Sequence, residues 1–133
     1  MPTARILIAD DHADVRDAFR EALTPTFEVV AAVATGDALV ANALVLAPDI
    51  IIADIELPGP DGLTAVERIR RDLPTVGVVF VTALDTPPVV DAAAALGALG
   101  FVSKGLAGLH LVPAVRAVLR GERYVVVASV GEP

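Results

Sequence analysis

The chain contains no cysteine. That removes a disulfide framework and any thiolate chemistry. Long apolar runs are missing too: none approaches the ~18 residues that a membrane-spanning helix needs. The opening "MPTARILIADD" meets acidic residues after too short an apolar stretch for a secretory signal. The expectation is a soluble, cytoplasmic protein with no membrane partner. Bases are scarce: ten Lys and Arg stand against seventeen Asp and Glu, a formal charge of −7. Phosphate contact needs clustered cations, so this chain is not expected to grip nucleic acid by itself.

What is present is apolar. Hydrophobic residues make up 55% of the 133, enough for a sizeable core in one domain. Five apolar runs read as strands: RILIA (5–9), FEVVAAV (27–33), DIIIA (49–53), VGVVFV (76–81) and LGFVS (99–103). Most are continuous rather than alternating, which favours a parallel sheet covered on both faces. Helix-length segments separate them. In ADVRDAFREAL, Val15, Ala18, Phe19, Ala22 and Leu23 recur at helical spacing. GLTAVERIRRDL places Leu63, Val66 and Ile69 on one face. Five alternating βα units imply an open, doubly wound α/β fold.

In "ILIADDHADVR" (6–16) the first strand runs into Asp10 and Asp11 side by side. Burial makes their repulsion worse, and a divalent cation is the simplest compensation. Sites in such sheets lie beyond the carboxyl ends of the strands. That rim receives Asp10 and Asp11 from strand 1, Asp54 from strand 3, Thr82 from strand 4, and Ser103 and Lys104 from strand 5. Carboxylates at one rim suit Mg²⁺, which takes one or two of them plus waters and phosphate oxygens. Lys104 supplies a point charge for a phosphate oxygen. Asp54 is placed as a nucleophile of aspartyl-phosphate chemistry.

Taken together, "ILIADDH", "DIIIADIELPGPDGL", "VVFVTA" and "GFVSK" resemble the receiver domain of two-component response regulators. The resemblance covers roughly residues 4–121. The "DDH" followed by "VR", and the ending "AVRAVLRGERYV", are similar to the NarL/FixJ class. The resemblance implies a flavodoxin-like (βα)5 domain over 3–121, with a five-stranded sheet in the order 2-1-3-4-5. It implies that Asp54 accepts a phosphoryl group from a sensor histidine kinase or acetyl phosphate. Asp11 would bind Mg²⁺ directly and Asp10 through water, with Asp54 and the backbone carbonyl of Glu56 as further ligands. Thr82 and Phe101 would be switch residues, and Lys104 would pair with the phosphate. Gly62 would open helix 3. Such a domain is no turnover enzyme; it accepts its own phosphoryl group and hydrolyses it slowly.

The chain departs from the family pattern in three places. Gly105 stands where many members have proline, and Glu56 puts a charge where Met is frequent. Pro113 falls in helix 5, where it is tolerated if the helix starts near Leu109 and should kink it if the start is Leu106. Taken singly, the motif residues admit plainer roles. Asp14 suits a helix N-cap, Thr82 a cap of the next helix, Lys104 a surface position and Phe101 the core. His12, without an evident partner set, reads as a surface or helix-start residue, and His110 as an exposed helix residue.

Other functions have less support. A Mg²⁺-dependent aspartate phosphatase usually carries a DxD pair after strand 1, and here the strand end reads DDH. A pseudo-receiver acting only by binding a partner predicts lost site residues, and none is lost. The NarL/FixJ likeness also implies a helix-turn-helix output domain that would bind DNA. Residues 122–133 would be a tail or the start of a linker to it, unless the chain is a stand-alone receiver. In that tail YVVVA (124–128) is expected to pack on the domain, pair with a sheet edge or meet another chain. Helix 5 carries Leu111, Ala114 and Val118 on one face and Leu109, Val112 and Leu119 on another. The reading there is a homodimer through a face including helix 5, with Leu111 and Val118 as contacts.

Overall fold

All five apolar runs form strands in the computed structural model, which describes residues 3–128. The chain runs β1 (Arg5–Ala9), α1 (Ala13–Leu23), β2 (Glu28–Val33), α2 (Gly36–Leu46), β3 (Ile50–Ala53), α3 (Gly62–Asp72), β4 (Gly77–Thr82), α4 (Pro87–Ala95) and β5 (Gly100–Ser103). A 3-10 turn (Lys104–Leu106), α5 (Ala107–Leu119) and β6 (Tyr124–Val126) follow. Every strand pairing is parallel. The order is β2-β1-β3-β4-β5-β6, so the sheet has six strands rather than the expected five. The sixth comes from the tail: Tyr124, Val125 and Val126 pair with Gly100, Phe101 and Val102 of β5. β5 would otherwise end the sheet with unpaired backbone groups, and a β-branched run is well suited to cover them. Of the three fates expected for 124–128, two are observed: edge pairing with β5, and packing on the domain through Tyr124, Val125 and Val127. Residues 129–133 of the predicted tail lie outside the described residues.

Alternate residues of each strand feed opposite faces, and both faces are covered. Leu7, Ile51, Val78, Phe80 and Phe101 pack with Leu39, Ala43, Val66, Ile69 and Ala93 of α2, α3 and α4. Ile6, Ile8, Ile52, Val79, Val81 and Val102 pack with Phe19 and Leu23 of α1 and with α5. This two-sided burial is why the strands read as unbroken apolar runs.

The helix faces are less well anticipated. In α1 only Phe19 and Leu23 are buried; Ala18 and Ala22 are exposed. Helix α1 begins after His12, so Asp14 sits in the first turn, bonded to the amide of Val15, and is not the cap. In α5, Leu111, Ala114, Val115 and Val118 form the core face. Leu109 is 81% exposed and Leu119 42%. The expected self-contact through Leu111 and Val118 is therefore corrected: both are core residues. Helix α5 starts at Ala107 and continues through Pro113 to Leu119, so the proline lies well inside it. Leu111→Ala is expected to cost about 3 kcal/mol. Leu109→Ala should stay within about 0.5 kcal/mol. Chemical denaturation of the two variants checks both.

Two contacts frame the ends of the sheet. At the amino ends, Arg70 of α3 donates to the carbonyls of Pro74 (2.8 Å), Val76 (3.0 Å) and Gly97 (3.0 Å). At the carboxyl ends, Asp61 caps α3 through the Thr64 amide (2.8 Å). Gly62 opens that helix as expected, its amide 2.7 Å from the Ile55 carbonyl.

Candidate functional site

Strands β1, β3 and β4 deliver buried polar side chains to the carboxyl rim, beside the buried Ser103 of β5. Asp10 follows β1 and is 1% exposed, Asp54 follows β3 at 3%, and Thr82 closes β4 at 0%. Each sits where a central parallel strand ends, so the neighbouring strands and helices wall it off from water.

One cation and one hydroxyl organise them. Lys104 Nζ lies 2.7 Å from Asp54 Oδ2 and 2.8 Å from Asp10 Oδ2. Thr82 Oγ1 donates to Asp54 Oδ1 at 2.7 Å, and the Glu56 amide donates to the same oxygen at 3.0 Å. Thr82 in turn accepts from the Leu84 amide at 3.2 Å, so its role is in this site and not as a cap of α4, which starts after Thr86. Both oxygens of Asp54 are thus occupied. The backbone amide of His12 donates to Asp10 Oδ1 at 2.9 Å, and Arg16 Nη1 donates to the Asp10 carbonyl at 2.8 Å. Two buried carboxylates are tolerable because an ammonium stands between them. Burial pulls the Lys104 pKa down, but its close contacts with Asp10 and Asp54, and their charges, outweigh that and raise it above its ordinary value.

The donor set fits a hard divalent cation. Ligand atoms of Asp10, Asp11 and His12 lie within 4.8 Å of one another. Asp10 Oδ2 is buried with no hydrogen bond in line; its closeness to Lys104 is a pairing of charge, not a directed bond. A buried carboxylate oxygen of that kind can take a cation.

The sequence readings meet here with few exceptions. Asp10, Asp11, Asp54, Thr82 and Lys104 come together as expected. Glu56 is exposed, and its amide braces Asp54. Phe101 is 2% exposed, in register with Phe80 and Val125. His12 is not without partners: Nδ1 lies 3.0 Å from Asp10 Oδ1, 3.1 Å from Asp11 Oδ1 and 3.4 Å from Lys104 Nζ. His110 is half-buried and bonded to Tyr124 Oη at 2.7 Å, not a free helix residue. No cis peptide occurs among the described residues, so the Lys104–Gly105 bond is trans. One polar pair went unanticipated. Ser103, buried at the end of β5, donates to Asp85 in the β4–α4 loop. No spacing signal links those two positions.

Comparison with known proteins agrees with this geometry. The response regulator receiver domain profile matches residues 6–116. Response regulator GacA of Pseudomonas viridiflava is 32% identical, over 91% of this chain and 58% of its own length. Oxygen regulatory protein NreC of Staphylococcus epidermidis is 36% identical, over 91% and 57%. The chain spans little more than half the length of these curated relatives. Among solved structures, a LuxR-family two-component response regulator from Aurantimonas sp. SI85-9A1 superposes with a TM-score of 0.87 at 32% identity, covering 93% of this chain and 90% of that one. The isolated REC domain of RcsB from Salmonella enterica, solved with phosphomimetic BeF3−, gives 0.86 at 28% identity, covering 94% of each. The profile match, these relatives and the strand-end geometry agree: the chain belongs to the response regulator receiver domain family, of the NarL/FixJ and LuxR type.

Proposed function

We propose that the chain is a phosphorylation switch in which Asp54 accepts a phosphoryl group from a sensor histidine kinase or a small acyl phosphate. The observation that carries this is the setting of Asp54. One oxygen faces a fixed cation, Lys104, and the other a fixed hydroxyl, Thr82. A carboxylate oxygen attacks phosphorus, an O–P bond forms, and the donor's bond to phosphorus breaks, releasing acetate or the kinase histidine. Lys104 and Thr82 then hold phosphoryl oxygens instead of the carboxylate. Asp10, Asp11, Asp54 and the Glu56 carbonyl would hold Mg²⁺, which supplies charge neutralisation during transfer. The domain is its own substrate, with no turnover of other phosphomonoesters.

The relatives extend this reading. RcsB has been solved in complex with DNA. We infer that this chain controls an output in the same way, through a DNA-binding domain outside its sequence or through a protein partner. Self-association through α5 is part of the proposal, with Leu109 and Leu119 as the exposed apolar residues. Among the described residues no helix is long and apolar enough to cross a membrane.

Incubation with acetyl phosphate and Mg²⁺, read by intact mass, is expected to add one phosphoryl group. The gain should vanish without Mg²⁺ and in Asp54→Ala. No gain from either acetyl phosphate or a kinase would overturn the proposal.

A further inference from the structure

Segment 124–128 is fastened at three places. Its backbone pairs along β5, and the Tyr124 amide bonds the Leu99 carbonyl at 2.9 Å. Tyr124 Oη meets His110 of α5. At the far end the Ala128 amide donates to Ser103 Oγ at 2.8 Å, while that hydroxyl donates to Asp85 Oδ2 at 2.5 Å. Val125 and Val127 pack on the same cluster as Phe101. The third fastening lies beside the phosphorylation site. Ser103 immediately precedes Lys104, and Asp85 lies three residues after Thr82. The two residues that grip Asp54 therefore lie within three positions of the two that hold the latch.

We propose that Ser103 is a positioning residue that locks segment 124–128 over the β5 edge, and that phosphorylation of Asp54 loosens this lock. This rests on the switch reading above. A phosphoryl group on either carboxylate oxygen takes a place that Thr82 or Lys104 now fills, so at least one of them must move outward to the new oxygens. Lys104 is bonded to Ser103 in the chain, and Thr82 leads within three residues to Asp85. A hydrogen bond survives little displacement, and Ser103–Asp85 joins the end of β5 to the β4–α4 loop. The bonds run as a chain, from the Ala128 amide to the Ser103 hydroxyl to the Asp85 carboxylate. In such a chain each bond strengthens the next, so losing the carboxylate weakens the hold on Ala128. Release bares the backbone edge of Gly100–Val102, an unpaired strand edge of the kind that accepts another strand.

Hydrogen exchange of the 133-residue chain tests this, with acetyl phosphate and Mg²⁺ as the phosphodonor and intact mass reporting occupancy. In the wild type, peptides over 124–128 should exchange about five-fold faster once phosphorylated, the size of one neutral hydrogen bond. Peptides over α1 should not change. Ser103→Ala should exchange faster before phosphorylation and respond little to it, while Ser103→Thr, which keeps the hydroxyl, should restore the response. Asp85→Asn should weaken the lock without enlarging the Ser103 site. Phosphate gained with tail exchange unchanged overturns the latch and leaves the switch standing. Ser103→Ala exchanging and responding like wild type does the same. No phosphate gain overturns the switch reading and the latch with it.

Discussion

Lys104→Met is expected to destabilise the metal-free chain by about 2–3 kcal/mol. The substitution keeps an apolar stem of similar length and removes only the charge. Asp10 and Asp54, 1% and 3% exposed, would then face each other with no cation between them. Breaking a buried pair by deleting one partner costs about 3–5 kcal/mol. The Lys104 side chain keeps 20% of its exposure, so solvent screening sets the expectation at and just below the lower end of that range. The pH dependence has a definite sign. The folded-state pKa of Lys104 is raised above its ordinary 10.5. Its contribution is complete below that value and is lost as pH climbs through the raised one. The gap between wild type and variant should be constant near neutrality and should narrow only above pH 10.5. The chain has no tryptophan, so urea unfolding followed by circular dichroism is the measurement. Mg²⁺ should stabilise the variant more than the wild type, because in the variant the cation site no longer competes with an ammonium. Equal stability of the two proteins would show that Lys104 does not offset the carboxylates.

Gly62→Ala should slow phosphoryl acceptance at Asp54 by roughly a hundred-fold. A Cβ at position 62 would collide with the Asp54 carbonyl oxygen and lie 2.8 Å from Ile55 Cα and 3.0 Å from the Asp54 carbonyl carbon. All three are backbone atoms, and none can rotate aside. The glycine is required by space, since its φ is not positive. Relief must come from moving α3 or from moving the segment that carries Asp54, and displacement near 1 Å at a reacting group costs about that factor. Overpacking adds about 2 kcal/mol of instability. Gly105→Ala is the contrast: nothing lies within 4 Å of the added methyl, so labelling should proceed normally. Time courses with acetyl phosphate compare the two. A Gly62→Ala chain that labels at the wild-type rate would mean that the loop gives way without disturbing Asp54.

The strands and the acidic rim are readable from sequence because one cause produces both. A central parallel strand is apolar along its length and can turn polar only where it leaves the sheet, so Asp10, Asp54, Thr82 and Lys104 stand out at the ends of apolar runs. Helix phase is harder. Helix α5 is apolar around most of its girth, so periodicity does not say whether Leu111 or Leu109 faces inward. In α1 the alanines Ala18 and Ala22 carry too little apolar surface to mark a face. The position of YVV is a question of which sheet edge is vacant, and that is settled by the return path of α5. The partners of Ser103 and His12 come from loops meeting in space, which no spacing within a motif records.

The Arg70 staple bears on how the rim can move. It ties the Pro74 and Val76 carbonyls, at the root of β4, to Gly97, at the approach to β5. Thr82 and Lys104 stand at the opposite ends of those same two strands. The two strands also pair in register as far as Thr82 and Ser103. Held at both ends, they cannot slide past one another, so a displacement at Asp54 has to be taken up in the β4–α4 and β5–α5 loops that leave them.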